Sequence, residues 1–316
     1  MNKKVLITGS EGFLGTYLKN EFLRNRYKVI GLDNLSTYKK RSITIYNKNN
    51  FSFFKVDCSN QNKILSHLKD CDYVIINAAK IGGIKLLDNG FLKLFNENHK
   101  IFSSTLNASI EAFLKFKLKK IILISTSMIY ENSRRNYSKE SDDSKISYPK
   151  NLYAFQKFCS EKLLINASEK YGFKYNIIRP FNLVGTFDKN KHKMQSHVVP
   201  ELIKKLKNKN KQIKIYGNGL QERNFTSVSE VAKSIYLICN KKKCDNEIFN
   251  VGSESSASIL KLIKIISNYL KVKKKINISK AFKSDVSFNR CNSDKLFKFI
   301  GFKPTKSLRN IIKEIL

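Results

Sequence analysis

The sequence predicts an α/β fold, a doubly wound parallel sheet with a smaller C-terminal lobe. Two observations carry that prediction. Short apolar, β-rich runs recur through the first 180 residues and alternate with helical stretches, the pattern of a parallel sheet covered on both faces. The first run leads straight into a glycine-spaced turn that opens a helix.

Residues 4–8 (KVLIT) form the first strand, and a helix over 14–25 follows the turn. KVIGLD (28–33), FSFFKVD (51–57), DYVIINAA (72–79), KKIILIST (119–126) and KYNIIRPFN (174–182) repeat the buried-strand signature. Helices are expected between them at 60–69, 91–116 and 153–171. Beyond residue 180 the alternation weakens. A polar loop (186–196), a basic helix (198–209), a strand at IKIYG (213–217) and a helix over 229–241 come next. EIFNVG (247–252), a helix over 257–271 and a last helix near 305–315 complete the chain. The expected division is 1–180 for the main domain and 181–316 for the lobe, with segments crossing between them.

A chain of 316 residues with 41% hydrophobic content can build a substantial core. Its 60 Lys and Arg outnumber 25 Asp and Glu, giving a net charge of +35. The excess is nearly all lysine and runs from Lys3 to Lys313. A nucleic-acid surface concentrates its charge and favours arginine, so the excess reads as biased usage over a solvated surface, and no nucleic-acid partner is expected. No apolar run is long enough to span a bilayer, and the amino-terminal stretch lacks the pattern of a signal peptide. Cys58, Cys71, Cys159, Cys239, Cys244 and Cys291 form no C-x-x-C pair and no zinc-ligand spacing. They read as free thiols of a cytoplasmic protein, and no metal site is expected.

TGSEGFLG supplies Gly9-x-x-Gly12-x-x-Gly15 between strand and helix. Glycine permits the tight turn and the close approach of a pyrophosphate, and the amides of Phe13 and Leu14 lie at the helix N-terminus, which favours negative charge. Asp33 ends the second strand 18 residues past Gly15, where a carboxylate accepts from an adenosine ribose. That carboxylate would repel a 2′-phosphate, so NAD is preferred over NADP; Lys39, Lys40 and Arg41 keep NADP open. Asp57 closes the third strand, either against the adenine edge or as a cap for the next helix. Tyr153 and Lys157 stand four apart on a helical stretch and share one face. An ammonium beside the phenol would draw its pKa down toward the working range. A hydroxyl partner is available at the preceding strand end, where Ser125 and Thr126 lie.

With these motifs the chain resembles the extended short-chain dehydrogenase/reductases, Rossmann-fold NAD(P)-dependent enzymes of nucleotide sugars. The likeness extends to NAA (77–79), RPFNLVG (179–185), RNFTSV (223–228), FNVGS (249–253) and R-x-x-x-D (290–294). It implies that Ala78 and Ala79 border the cofactor and that Arg223, Arg290 and Asn182 serve the nucleotide diphosphate and sugar. Residues 1–180 would then hold NAD(P), and 181–316 would form the substrate-binding lobe. AAKIGGI (78–84) and SHVVPEL (196–202) resemble GDP-fucose synthase and, more distantly, GDP-mannose 3,5-epimerase. By that resemblance Thr126 is the catalytic hydroxyl, Tyr153 the proton donor, Lys157 its partner and His197 an acid/base and substrate residue. The cysteine that would work with His197 is replaced by Met128, which cannot exchange a proton. A 4,6-dehydratase would carry an Asp-Glu pair at Ser127 and Met128.

The resulting expectation is an enzyme moving a hydride and a proton at C4 of a GDP-hexose or its 4-keto derivative, either a reductase or a C4 epimerase that retains NAD. The competing expectation is a non-catalytic dinucleotide- or nucleic-acid-binding protein on the same scaffold. The resemblance also implies a homodimer paired through helices 91–116 and 153–171.

Overall fold

A computed structural model describes residues 3–37, 48–81, 91–131, 137–145, 147–186, 198–209, 212–254, 256–280 and 288–316. The chain runs β1 (Lys4–Thr8), α1 (Phe13–Arg24), β2 (Lys28–Asp33), β3 (Phe51–Lys55), α2 (Gln61–Leu68), β4 (Tyr73–Ile76), α3 (Phe91–Lys115), β5 (Lys120–Ile124), α4 (Leu152–Tyr171) and β6 (Lys174–Pro180). It continues through β7 (Leu183–Val184), α5 (Val198–Lys207), β8 (Gln212–Tyr216), β9 (Glu222–Asn224), β10 (Thr226–Ser227) and α6 (Val228–Asn240). The last part holds β11 (Glu247–Val251), β12 (Ser256–Ser258), α7 (Ile259–Leu270), β13 (Lys275–Ser279), β14 (Phe288–Asn289), α8 (Asp294–Ile300) and α9 (Leu308–Ile315).

Seven strands make one parallel sheet in the order β11-β6-β5-β4-β1-β2-β3. This is the Rossmann arrangement, with the order reversing between β1 and β4, where a crevice opens at the strands' carboxyl ends. The two-residue period of a strand divides the apolar side chains between two cores. Val5, Ile7, Val29, Ile75, Ile122 and Phe249 face α1, α6 and α8, whereas Leu6, Leu32, Val74, Ile121, Leu123 and Ile177 face α2, α3 and α4. Burial on both faces explains why these strands read as continuous apolar runs rather than as alternating ones.

A third core belongs to the lobe. Val199, Leu202 and Leu206 of α5 pack with Ile213 and Ile215 of β8, Leu262, Ile263 and Ile266 of α7, and Ile311 and Ile312 of α9. Chain order and spatial order part company here, because β11 leaves the lobe's stretch of sequence and pairs with β6 in the main sheet. The small three-stranded sheet β12-β9-β14 is tied to the end of this crossing segment, where the Ser253 carbonyl accepts from the Asn224 side chain of β9.

Candidate active site

The glycine turn is built by its own sterics. Gly9 has φ +66°, and its amide donates to the Leu32 carbonyl at 2.7 Å. A Cβ there would lie 2.9 Å from the Ala78 Cα, and one on Gly15 would lie 2.0 Å from the Gly9 carbonyl oxygen. Gly12 caps α1 with extended backbone and without a side-chain cap, and no acidic residue stands in the first turn. The leading amides of the helix, those of Phe13 and Leu14 among them, therefore present positive potential.

Thr8 ties the ends of β1 and β4 together: its Oγ1 accepts from the amides of Asn77 and Ala78, both at 3.1 Å. Ala78 and Ala79 follow, half-buried. Asp33, at the end of β2, accepts from the Glu11 amide at 3.0 Å and the Leu35 amide at 2.7 Å. Its carboxylate is thus locked against the glycine turn. Asp57 accepts from the Asn34 side chain and the Ser59 amide, and the Ser59 bonds hold its pKa below the usual carboxylate range. The cap of α2 is Asn60, whose Oδ1 accepts from the Lys63 amide; the capping role considered for Asp57 is not what the structure shows.

The turn and the two flanking carboxylates fit NAD: glycine at 9 and 15 lets the turn close against the Ala78 backbone and against itself, which leaves the uncapped amides at the start of α1 free for a pyrophosphate. Lys39, Lys40 and Arg41 lie outside the described residues.

The second half of the site lies two strands away, at the carboxyl end of β5, about 10 Å from β1 by strand spacing. Thr126 is extended and caps the Ser127–Tyr130 turn, its Oγ1 accepting from the Met128 amide at 3.2 Å. α4 begins one residue after Asn151, whose Oδ1 accepts from the Tyr153 and Ala154 amides. Glu131 in turn accepts from the Asn151 amide at 2.7 Å, which fixes the entry of the helix to the turn after β5. Tyr153 and Lys157 are both buried on its inner face.

The Lys157 Nζ donates to the Ile124 carbonyl at 2.8 Å. Burial lowers its pKa to about 8, while Glu161 pulls the other way. The Tyr153 hydroxyl has no hydrogen-bond partner among the described residues, and burial pushes its pKa up to about 12. The expected lowering of the phenol by its neighbour is therefore absent in the chain by itself. The lysine head is spent on a backbone carbonyl, and desolvation outweighs whatever charge remains.

Arg223 and Asn289 are register partners on β9 and β14, which puts Arg290, just past β14, one residue beyond the position opposite Arg223. Arg290 is bound by Glu222, whose Oε2 accepts from its Nε at 3.0 Å, from its Nη2, and from the Ser256 hydroxyl at 2.8 Å. Arg223 donates to the Glu222 carbonyl at 2.8 Å. Asn182 is exposed, with φ +31°. His197 lies outside the described residues, as do parts of AAKIGGI and SHVVPEL.

Two buried ion pairs had no counterpart in the motif reading. Lys19 and Glu11 meet at 3.1 Å with both side chains fully buried, and the Lys19 Nζ lies 4.8 Å from the Phe51 ring centre. Behind Lys157, Glu161 and Arg179 pair at 2.6 Å, again fully buried. The spacing Lys157–Glu161 was the available signal: an acid four residues on shares the lysine's inward face.

These features define a dinucleotide-binding α/β enzyme with a tyrosine and a lysine on one inner helix face. The chain belongs to the NAD dependent epimerase/dehydratase family, whose pattern matches residues 5–252, and NAD is its cofactor. It is 30% identical to an uncharacterized protein of Methanocaldococcus jannaschii, over 98% of this chain and 94% of that one. It is 29% identical to the dTDP-D-glucose 4,6-dehydratase of Homo sapiens, over 85% of this chain and 74% of the other. A UDP-N-acetylglucosamine 4-epimerase from Methanobrevibacter ruminantium, solved with UDP-N-acetylmuramic acid, superposes with a TM-score of 0.83 at 27% identity, covering 99% of this chain and 97% of that one. The protein is thus an NAD-dependent nucleotide-sugar epimerase/dehydratase by family. No helix among the described residues is long and apolar enough to cross a membrane.

Proposed function

We propose that this protein is a nucleotide-sugar 4-epimerase that keeps NAD through its cycle, with a pyrimidine-nucleotide hexose such as UDP-hexose as substrate. The observation that carries the reading is the Tyr153 phenol, buried with no hydrogen-bond partner among the described residues, one turn from a Lys157 that is anchored on the Ile124 carbonyl at the end of β5. Ser127 and Met128 stand where the dehydratase pattern needs an acidic pair, which favours epimerisation over water loss. Asp33 favours NAD, a cofactor suited to retention.

In this reading the Gly9, Gly12 and Gly15 turn, with the Phe13 and Leu14 amides, holds the pyrophosphate. Asp33 takes the ribose, Asp57 the adenine edge, and Ala78 and Ala79 border the remaining length of the cofactor. When bound, NAD supplies hydride acceptance and return at C4 together with the positive charge of its ring. Tyr153 exchanges the proton of the C4 oxygen, and Thr126 orients that oxygen. Its burial keeps the phenol protonated until positive charge is brought near, and Lys157 adds its ammonium from one turn away. Arg223 and Arg290 receive the diphosphate, which suits guanidinium geometry, and Asn182 meets the sugar. Residues 1–180 then carry the cofactor and 181–316 most of the substrate contacts, in a homodimer.

A pyrimidine nucleotide is preferred to GDP because the relatives with a named substrate act on UDP- and dTDP-sugars. The GDP expectation rests on two segments that lie partly outside the described residues. The test is incubation of purified protein with UDP-glucose, UDP-galactose and GDP-mannose, followed by chromatography of the products. Interconversion of the UDP-hexoses at C4 without net NADH turnover is expected, and Tyr153→Phe should lower it roughly 10²- to 10⁴-fold. Stoichiometric NADH consumption with a 4-keto sugar, turnover of GDP-sugars alone, or an active Tyr153→Phe protein would overturn the reading.

A further inference from the structure

Directly behind the proposed reacting groups lies a continuous buried polar network. Glu161 Oε1 accepts from the Ser125 hydroxyl and from Arg179 Nε at 3.1 Å, and its Oε2 accepts from Arg179 Nη2 at 2.6 Å. Arg179 Nη1 donates to the Tyr130 hydroxyl at 2.7 Å, and that hydroxyl donates to Asn250 Oδ1 at 2.9 Å. Asn250 donates onward to the Ser138 carbonyl and, through its amide, to Glu140. Glu161, Arg179 and Asn250 are completely buried, and Ser125 and Tyr130 are 3% exposed. A fully buried pair of charges seldom improves on apolar packing, so burial of this one beside Lys157 calls for a role.

The role follows from where the network ends. Ser125 joins Ile124, whose carbonyl takes the Lys157 ammonium, to Thr126, the proposed orienting hydroxyl. Glu161 sits one turn beyond Lys157 on α4. The same carboxylate therefore fixes the strand end that anchors the lysine and acts on the lysine's charge through space. Among the described residues, the titratable and charged groups around the Lys157–Glu161 pair are Tyr153 on α4, Tyr130 on the turn after β5, Arg179 on β6 and, beyond Arg179, Glu140. Of these charges, Glu161 is the one that favours the ammonium against desolvation.

We propose that Glu161 is a positioning residue, holding the Lys157 ammonium charged and the Ser125–Thr126 strand end in place for proton transfer at Tyr153. The proposal rests on the Tyr153–Lys157 reading above and goes beyond it by assigning the group that keeps the lysine cationic. Glu161→Gln keeps the side chain's size and removes the charge. The lysine then loses its proton at lower pH, so the alkaline limb of the kcat profile moves acidward by roughly one pH unit, a tenfold loss at a fixed alkaline pH. KM for the sugar nucleotide stays within about twofold, because the residue touches no ligand.

Glu161→Gln leaves Arg179 buried without a counter-charge, which endangers folding. The double variant Glu161→Gln/Arg179→Met removes the stranded guanidinium and still deprives Lys157 of its carboxylate, so its limb is expected to move acidward as well. Tyr130→Phe, which keeps both charges, is expected to leave the limb where it is. A limb that stays in place in the double variant, with kcat lowered evenly across pH, would overturn the proposal and reduce the pair to scaffolding. Tyr153→Phe in the same series separates the two ideas: an active Tyr153→Phe protein refutes the site reading itself. An inactive one, alongside an unshifted Glu161→Gln profile, refutes only the role of Glu161.

Discussion

Two glycines with the same backbone strain but different surroundings isolate what the nucleotide turn requires. Gly9 and Gly172 have φ +66° and +85°, so alanine at either site incurs a left-handed cost of about 1–2 kcal/mol. At Gly172, the C-cap of α4, a Cβ meets nothing within 4 Å, and that cost is the whole effect. At Gly9 the new carbon lies 2.9 Å from the Ala78 Cα and 3.1 Å from its nitrogen. Both are backbone atoms of the next strand's end and cannot rotate away. Forcing β1 and β4 apart adds about 1–3 kcal/mol, as overpacking does. With roughly 2 °C per kcal/mol in a chain of this size, Gly172→Ala should melt a few degrees low and Gly9→Ala about twice as far. Calorimetric titration with NAD provides the second readout: Gly172→Ala should bind as the parent does, and Gly9→Ala should lose at least tenfold, about 1.4 kcal/mol. Equal melting losses and equal NAD affinity for the two variants would refute the reasoning.

The buried Lys19–Glu11 pair should behave asymmetrically: Lys19→Met alone should cost about 3–5 kcal/mol in urea unfolding, whereas Glu11→Gln/Lys19→Met should recover most of it. Leu164, fully buried against the sheet, should lose about 2–5 kcal/mol on truncation to alanine. Stability should also respond to Lys157. Its folded pKa of about 8 lies below the ordinary 10.5, so between those values the unfolded chain binds more protons and stability rises with pH. Tyr153 works oppositely above pH 10, its folded value of about 12 exceeding the ordinary 10.0. Urea midpoints from pH 8 to 10 should therefore climb in the parent more steeply than in Lys157→Met, and parallel curves would contradict this assignment.

The strands of the main sheet were legible because burial on both faces leaves uninterrupted apolar runs: each expected run from KVLIT to KYNIIRPFN, and EIFNVG after them, overlaps a strand of that sheet, while IKIYG falls on β8, which pairs with β13 outside it. The ends were read long: 72–79 contracts to Tyr73–Ile76 because Asn77 and Ala78 turn to meet the Thr8 hydroxyl. α8, at Asp294–Ile300, escaped notice because seven residues hold barely two turns of periodicity. β13 was hidden likewise, its exposed lysine and asparagine masking a strand that exists through pairing with β8. In the site, Gly9, Asp33, Tyr153 and Lys157 were visible through fixed local spacing. Glu222 beside Arg290, and Ser125 and Arg179 on Glu161, were not, since each contact joins segments distant in sequence and depends on the folded sheet.

The crossing of β11 into the main sheet has a consequence for how this chain must be made. Until residue 251 has left the ribosome, β6 is the sheet's outer strand, with its peptide groups open along one side. A truncated chain ending near residue 180 would carry that open side permanently and lack Phe249 and Val251 of the first core. Such a fragment should self-associate through strand addition instead of folding alone. Nucleotide capture thus awaits synthesis of a strand encoded some 240 residues after the glycine turn it helps to support.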